Sequence, residues 1–115
     1  MIMLRKSSNG EQYVALDFDD TTFYRSHRGY PEIGPPLKDV IKKAINLQKE
    51  GWKIIMWTCR SGDDLQLAIN EAKKYGLKYD AINDNPWFIT NSRKMYATIY
   101  VDDRAPGSIE YFLKM

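Results

Sequence analysis

The sequence predicts an α/β domain of three layers, Rossmann-like in its alternation, with a small, mainly parallel sheet of about four strands. Two observations carry that expectation. Short apolar runs alternate with stretches of helical period, and three of those runs end in chemically loaded residues, at Asp17, Thr58 and Asp102. Parallel strands joined by right-handed crossovers bring their C-terminal ends to one rim, so these three segments should open onto a common edge.

The elements follow in order. Tyr13 to Leu16 is a buried strand running into Asp17-Phe18-Asp19-Asp20. Thr21 to Pro36 lacks helical period and holds Gly29, Pro31, Gly34, Pro35 and Pro36, so it reads as a loop with room for a short hairpin. Leu37, Val40, Ile41, Ala44, Ile45 and Leu47 mark one face of a helix, with Gly51 at its C-terminal cap. Trp52 to Trp57 has the length and composition of a second buried strand, and it ends in Thr58-Cys59-Arg60. A second helix spans about Asp63 to Tyr75, acidic in its first turn and followed by Gly76. A weak strand, Tyr79 to Ile82, comes next, then a loop from Asn83 to Lys94. Ala97 to Val101 is the last strand, ending in Asp102-Asp103-Arg104, and a short helix covers Ser108 to Leu113.

At 115 residues the chain is expected to form a single domain, residues 1–115, with no separate substrate domain. Hydrophobic residues at 43% and charged residues at 28% fit a globular protein and not a disordered one. The net charge of +2 is spread along the chain, which permits nucleic acid as a partner without indicating it. No apolar run approaches a bilayer span and the N-terminus lacks a signal-peptide core, so no membrane partner and a cytoplasmic location are expected. The single cysteine, Cys59, excludes an internal disulfide.

If Asp17, Asp19, Asp102 and Asp103 converge, each like-charged pair about 4 Å apart repels by about 4 kcal/mol at an effective dielectric near 20. Such a cluster calls for a cation. Carboxylate oxygens without histidine or thiolate partners favour a hard ion, with Mg²⁺ the expected cofactor where phosphate adds oxygen ligands. A metal that screens an anionic nucleophile from an anionic phosphoryl group would let Asp17 attack phosphorus. Asp19, two residues along an extended segment, lies on the same side and would move the protons. Thr58 and a lysine would hold the phosphoryl oxygens, Lys94 being the candidate because it precedes the last strand by a few residues.

These residues resemble the haloacid dehalogenase (HAD) superfamily. Its Asp-x-Asp-x-Thr/Val signature is matched by Asp17-Phe18-Asp19-Asp20-Thr21, its strand-ending Thr or Ser by Thr58, and its acidic pair by Asp102-Asp103. Its basic residue corresponds to Lys94, with Arg93 as the competing assignment. The resemblance implies a phosphatase working through an aspartyl-phosphate on Asp17, with Mg²⁺ held by Asp17, the Asp19 carbonyl and Asp103, and by Asp102 through water. Asp20 departs from the pattern, because many members carry Gly there. The intervals between elements are too short for the cap domain of many members, so the chain resembles the capless branch, whose specificity comes from flanking loops or a neighbouring subunit. Substrate contacts are then expected from Arg25, His27, Arg28 and Arg60, and the partner is a phosphorylated small molecule or polymer end.

Two other classes fit part of the pattern. Receiver domains also unite acids, a Thr or Ser, a Lys and Mg²⁺, but their accepting Asp ends a middle strand, where this chain has Thr58. A catalytically idle metal or phosphate-binding module is the other. Trp52, Trp57 and Trp87 read as packing residues, and His27 as a solvated one.

Overall fold

The computed structural model describes residues 3–4, 11–89 and 92–115. Eleven elements follow one another: β1 (Met3–Leu4), β2 (Tyr13–Asp17), β3 (Phe23–Arg25), β4 (Ile33–Pro36), α1 (Lys38–Lys49), β5 (Lys53–Trp57), α2 (Gly62–Lys74), β6 (Ala81–Ile82), β7 (Phe88–Ile89), β8 (Ile99–Val101) and α3 (Ser108–Leu113). The central sheet has the order β6-β5-β2-β8, parallel throughout. The α/β class and the four parallel strands expected from the sequence are therefore present.

The order matters for the rim. From β2 the chain crosses to β5 and β6 on one side, and then returns to place β8 on the other, so the strand order reverses between β2 and β8. Crevices in open α/β sheets form at that point, beyond the strand ends. Leu16 lies opposite both Met56 and Val101, and Asp17 lies opposite Trp57. Continuing the β2–β8 register by one residue sets Asp102 beside Asp17.

Alternation along the strands divides the core. Val14, Leu16, Ile54, Met56 and Val101 face one way and join Val40, Ile41, Ala44 and Leu47 of α1, Ala68 and Ala72 of α2 and Phe112 of α3. Tyr13, Ala15 and Ile55 face the other way, against Trp57, Trp87, Met95, Tyr96, Ala97 and Tyr100. The helices thus cover one face. The second outer layer is an irregular, aromatic-rich segment, with the Trp87 ring 5.5 Å and the Tyr96 ring 6.2 Å from that of Tyr13. Trp57 and Trp87 serve as packing residues, as expected.

Helix boundaries follow local chemistry. α2 carries Asp63 and Asp64 in its first turn and Lys73 and Lys74 in its last, each complementing the helix dipole. Gly51 and Gly76, with φ of +100° and +89°, end α1 and α2 in the left-handed conformation that only glycine adopts without cost. β6 is shorter than expected because side chains replace part of its ladder: Asp80 Oδ2 accepts the Ile54 N–H at 2.7 Å, and Asn83 brackets Thr58. β1 and β7 pair antiparallel, Met3 with Ile89, apart from the main sheet, where the sequence suggested no strand. Positions 90 and 91 of the expected loop lie outside the described residues.

The interval after β2 is the hairpin β3–β4, pairing Phe23 with Pro36 and Arg25 with Ile33. Gly34 makes this possible, because a Cβ there would stand 2.5 Å from the Arg25 carbonyl oxygen and 2.6 Å from that of Tyr24. Gly34→Ala should therefore push the hairpin strands apart at a cost of about 2 kcal/mol. Faster amide exchange confined to residues 23–36, with a lowered Tm, is the expected result.

Candidate functional site

Beyond the ends of β2 and β8 lies a cleft of about 290 Å³ whose walls include Asp17, Asp19, Thr58, Asp102 and Asp103. One oxygen from each of Asp17, Asp102 and Asp103 lies within 4.8 Å of the others. Thr21, fully buried, ties them together. Its hydroxyl donates to Asp17 Oδ2 (2.9 Å) or Asp103 Oδ1 (3.2 Å) and accepts the Asp103 N–H at 2.8 Å. Thr22 fixes the same turn from below, its hydroxyl donating to the Asp17 carbonyl at 2.7 Å. Asp102 is pinned by Ser108, whose Oγ accepts the Asp102 N–H and donates to the Asp102 carbonyl.

The electrostatics follow from this crowding. Burial, added to the charges of Asp102 and Asp103, pushes the Asp17 carboxyl up to about 7, against the lowering effect of the Thr21 hydroxyl. Partial burial also acts to raise Asp103, but hydrogen bonding to Asp17, Asp102 and Thr21 outweighs it and holds Asp103 below the ordinary carboxylate value. The cluster thus shares its protons unevenly, Asp17 holding its proton to higher pH than Asp103 does.

Asp19 stands apart from this cluster. Both its carboxylate oxygens accept from Arg60, at 2.9 Å from Nε and 2.8 Å from Nη2, so its backbone carbonyl is what it can still offer a metal. Arg60 corrects an expectation. It is 2% exposed, and Nη1 donates to the carbonyls of Pro31 and Asp64, each at 3.0 Å, so four of its five N–H groups are taken. Such a group orients Asp19 and is not free to grip substrate.

The other expected residues divide. Thr58 lines the cleft, its Oγ1 accepting the Arg60 N–H at 3.1 Å, while Asn83 accepts from Thr58 N and donates to Thr58 O, both at 2.8 Å. Arg25 also lines it, its guanidinium paired with Asp20. Asp20 takes φ of +64°, a conformation costly to a residue other than glycine, and its carboxylate also accepts the Arg25 N–H at 3.0 Å. His27 and Arg28 are exposed in the hairpin loop and do not line the cleft; Arg28 lies 3.8 Å from Glu32. The structure does not bring Lys94 to the cleft either. Its ammonium stands 5.4 Å from the Tyr100 ring centroid, because the segment before β8 covers the far sheet face instead of the rim. Arg93 shares that location, beside Asn83 and Asp84.

Sequence reasoning missed three contributors. Thr21 was present as a motif letter, but nothing marked its hydroxyl as the bridge between distant acids. Arg104, in the cleft wall, directly follows the acidic pair. Tyr30, also in the wall, carried no signal beyond lying in a polar loop.

No family model and no curated protein match the chain. Among solved structures it is similar to a conserved protein from Bacteroides thetaiotaomicron, at 30% identity and a TM-score of 0.75, over 91% of this chain and 88% of that one. The chain belongs to the family of that protein. The similarity covers nearly the whole chain. Among the described residues no helix is long and apolar enough to cross a membrane.

Two outcomes test the geometry. Asp17 in the native state keeps a proton that the unfolded chain loses, so the metal-free protein should lose stability as pH rises from about 4 to about 7. Thermal melts in chelator at pH 5 and pH 8 should show this fall, and Asp17→Asn should flatten it. Arg60→Leu strips a partly buried carboxylate of its partner and should cost about 3 kcal/mol, lowering Tm by roughly 10 °C.

Proposed function

We propose that this chain is a magnesium-dependent phosphate monoester hydrolase of the HAD superfamily, capless branch, acting through phosphorylation of Asp17. The observation that supports this reading is the meeting of Asp17, Asp102 and Asp103 at the switch-point cleft, joined by the hydroxyl of Thr21. The donor set fits a hard divalent ion: it is all oxygen, and burial with neighbouring charge raises Asp17 in a way that a cation would reverse. Asp17, Asp102 and Asp103 would hold Mg²⁺, together with the Asp19 carbonyl. The ion when bound supplies the positive charge that lets two anions approach.

The chain's own residues account for the remaining steps. Asp17 attacks phosphorus, the ester P–O bond breaks, and water later releases phosphate from the carboxyl. Thr58 accepts its hydrogen bond from Arg60 N, which leaves its own proton for a phosphoryl oxygen. Asp19 lines the cleft, but both oxygens sit in the Arg60 fork, so it must turn one of them inward to pass a proton. Arg25 and Arg104 are the cations in the cleft wall, in place of Lys94. The substrate is a phosphorylated small molecule or polymer end, and the setting is the cytoplasm, where the exposed thiol of Cys59 stays reduced.

Phosphate release from an aryl phosphate should require Mg²⁺, stop with chelator and fall by roughly 10³-fold or more in Asp17→Asn. Turnover that survives this substitution rejects Asp17 as nucleophile.

A further inference from the structure

Tyr30 is a surface ring that is nonetheless held in place. It is 58% exposed and lines the cleft. Its hydroxyl donates to Asp64 Oδ2 at 3.0 Å, and the Arg60 guanidinium lies over the ring, 4.8 Å from its centroid. Arg60 is itself immobile, held by Asp19, Pro31 and Asp64 and lying 5.3 Å from the centroid of the buried Phe18 ring. The ladder runs outward from Phe18 through Arg60 to Tyr30 and ends on an aromatic surface open to the cleft.

A tyrosine tethered at its hydroxyl and covered on one face has already lost most of its orientational freedom. A flat partner stacking on it therefore binds without that cost. Arg25 and Arg104 stand in the same wall, and guanidinium groups suit anionic oxygens. An ester bearing a planar base would cover the exposed ring more fully than a sugar phosphate would. Resting on the phosphatase reading, we infer that the substrate is a nucleotide, a free nucleoside monophosphate or the phosphorylated end of an oligonucleotide, whose base stacks on Tyr30.

The test compares kcat/KM of the Mg²⁺-loaded full chain for a nucleoside 5′-monophosphate, a 5′-phosphorylated oligonucleotide and ribose 5-phosphate, which lacks only the base. At least one base-bearing ester should exceed ribose 5-phosphate by roughly 5- to 150-fold, the range of base–aromatic stacking. The higher of the two identifies the natural form. Tyr30→Ala should bring that value down towards the sugar phosphate, while Tyr30→Phe, which keeps the ring, should retain most of the preference. Equal values in the unaltered chain, or a preference that persists in Tyr30→Ala, overturn the inference. Titrating Asp17→Asn with the same compounds and Mg²⁺ separates the two claims. Base-dependent binding that Tyr30→Ala removes, without hydrolysis in the unaltered chain, supports the stacking site and rejects the phosphatase.

Discussion

Repulsion among three carboxylates is the constraint around which this molecule is arranged. Register brings Asp17 and Asp102 side by side at the ends of adjacent parallel strands, and Asp103 follows directly. Nothing in a hydrophobic core favours such crowding. It persists because a buried hydroxyl, Thr21, is shared between Asp17 and Asp103, and because the apolar strands below are locked by packing on both faces. The turn after β2 is strained at Asp20, and the Phe18 carbonyl accepts N–H groups from Thr21, Thr22 and Phe23 to hold it. Stability is thus spent on holding the acidic residues at the rim.

The second arrangement depends on the first. Asp19 follows Asp17 by two residues but is drawn out of the acidic cluster by Arg60, which arrives from the end of β5. One guanidinium joins the turn after β2, the hairpin loop through Pro31 and the start of α2 through Asp64. The position of the hairpin over the cleft and the orientation of Asp19 are therefore set by the same group.

Much of this was legible in the sequence. The long elements were, because α1 and α2 repeat their apolar residues over three turns and β2 and β5 are continuous apolar runs. The rim was legible too, since chemically loaded residues follow three strands and parallel topology carries all three to one edge. What could not be read was direction and distance. Lys94 is near β8 in the chain, but proximity along the chain does not say which sheet face a segment covers. Arg60 looked like a substrate contact because its burial depends on Pro31 and Asp64, which sequence cannot place. Two-residue strands such as β1 and β7 have no period to detect.

The unlike outer layers of the sheet give the molecule two kinds of support. On one side, three helices make their own backbone hydrogen bonds. On the other, the stretch around Trp87, Met95, Tyr96 and Ala97 is anchored mainly by its side chains, with Asn85 donating to the Tyr96 carbonyl at 2.7 Å. Aromatic packing on Tyr13 therefore does for this face what helix burial does for the other. Insertions there would alter how this face meets its surroundings, on the side of the sheet away from the helices.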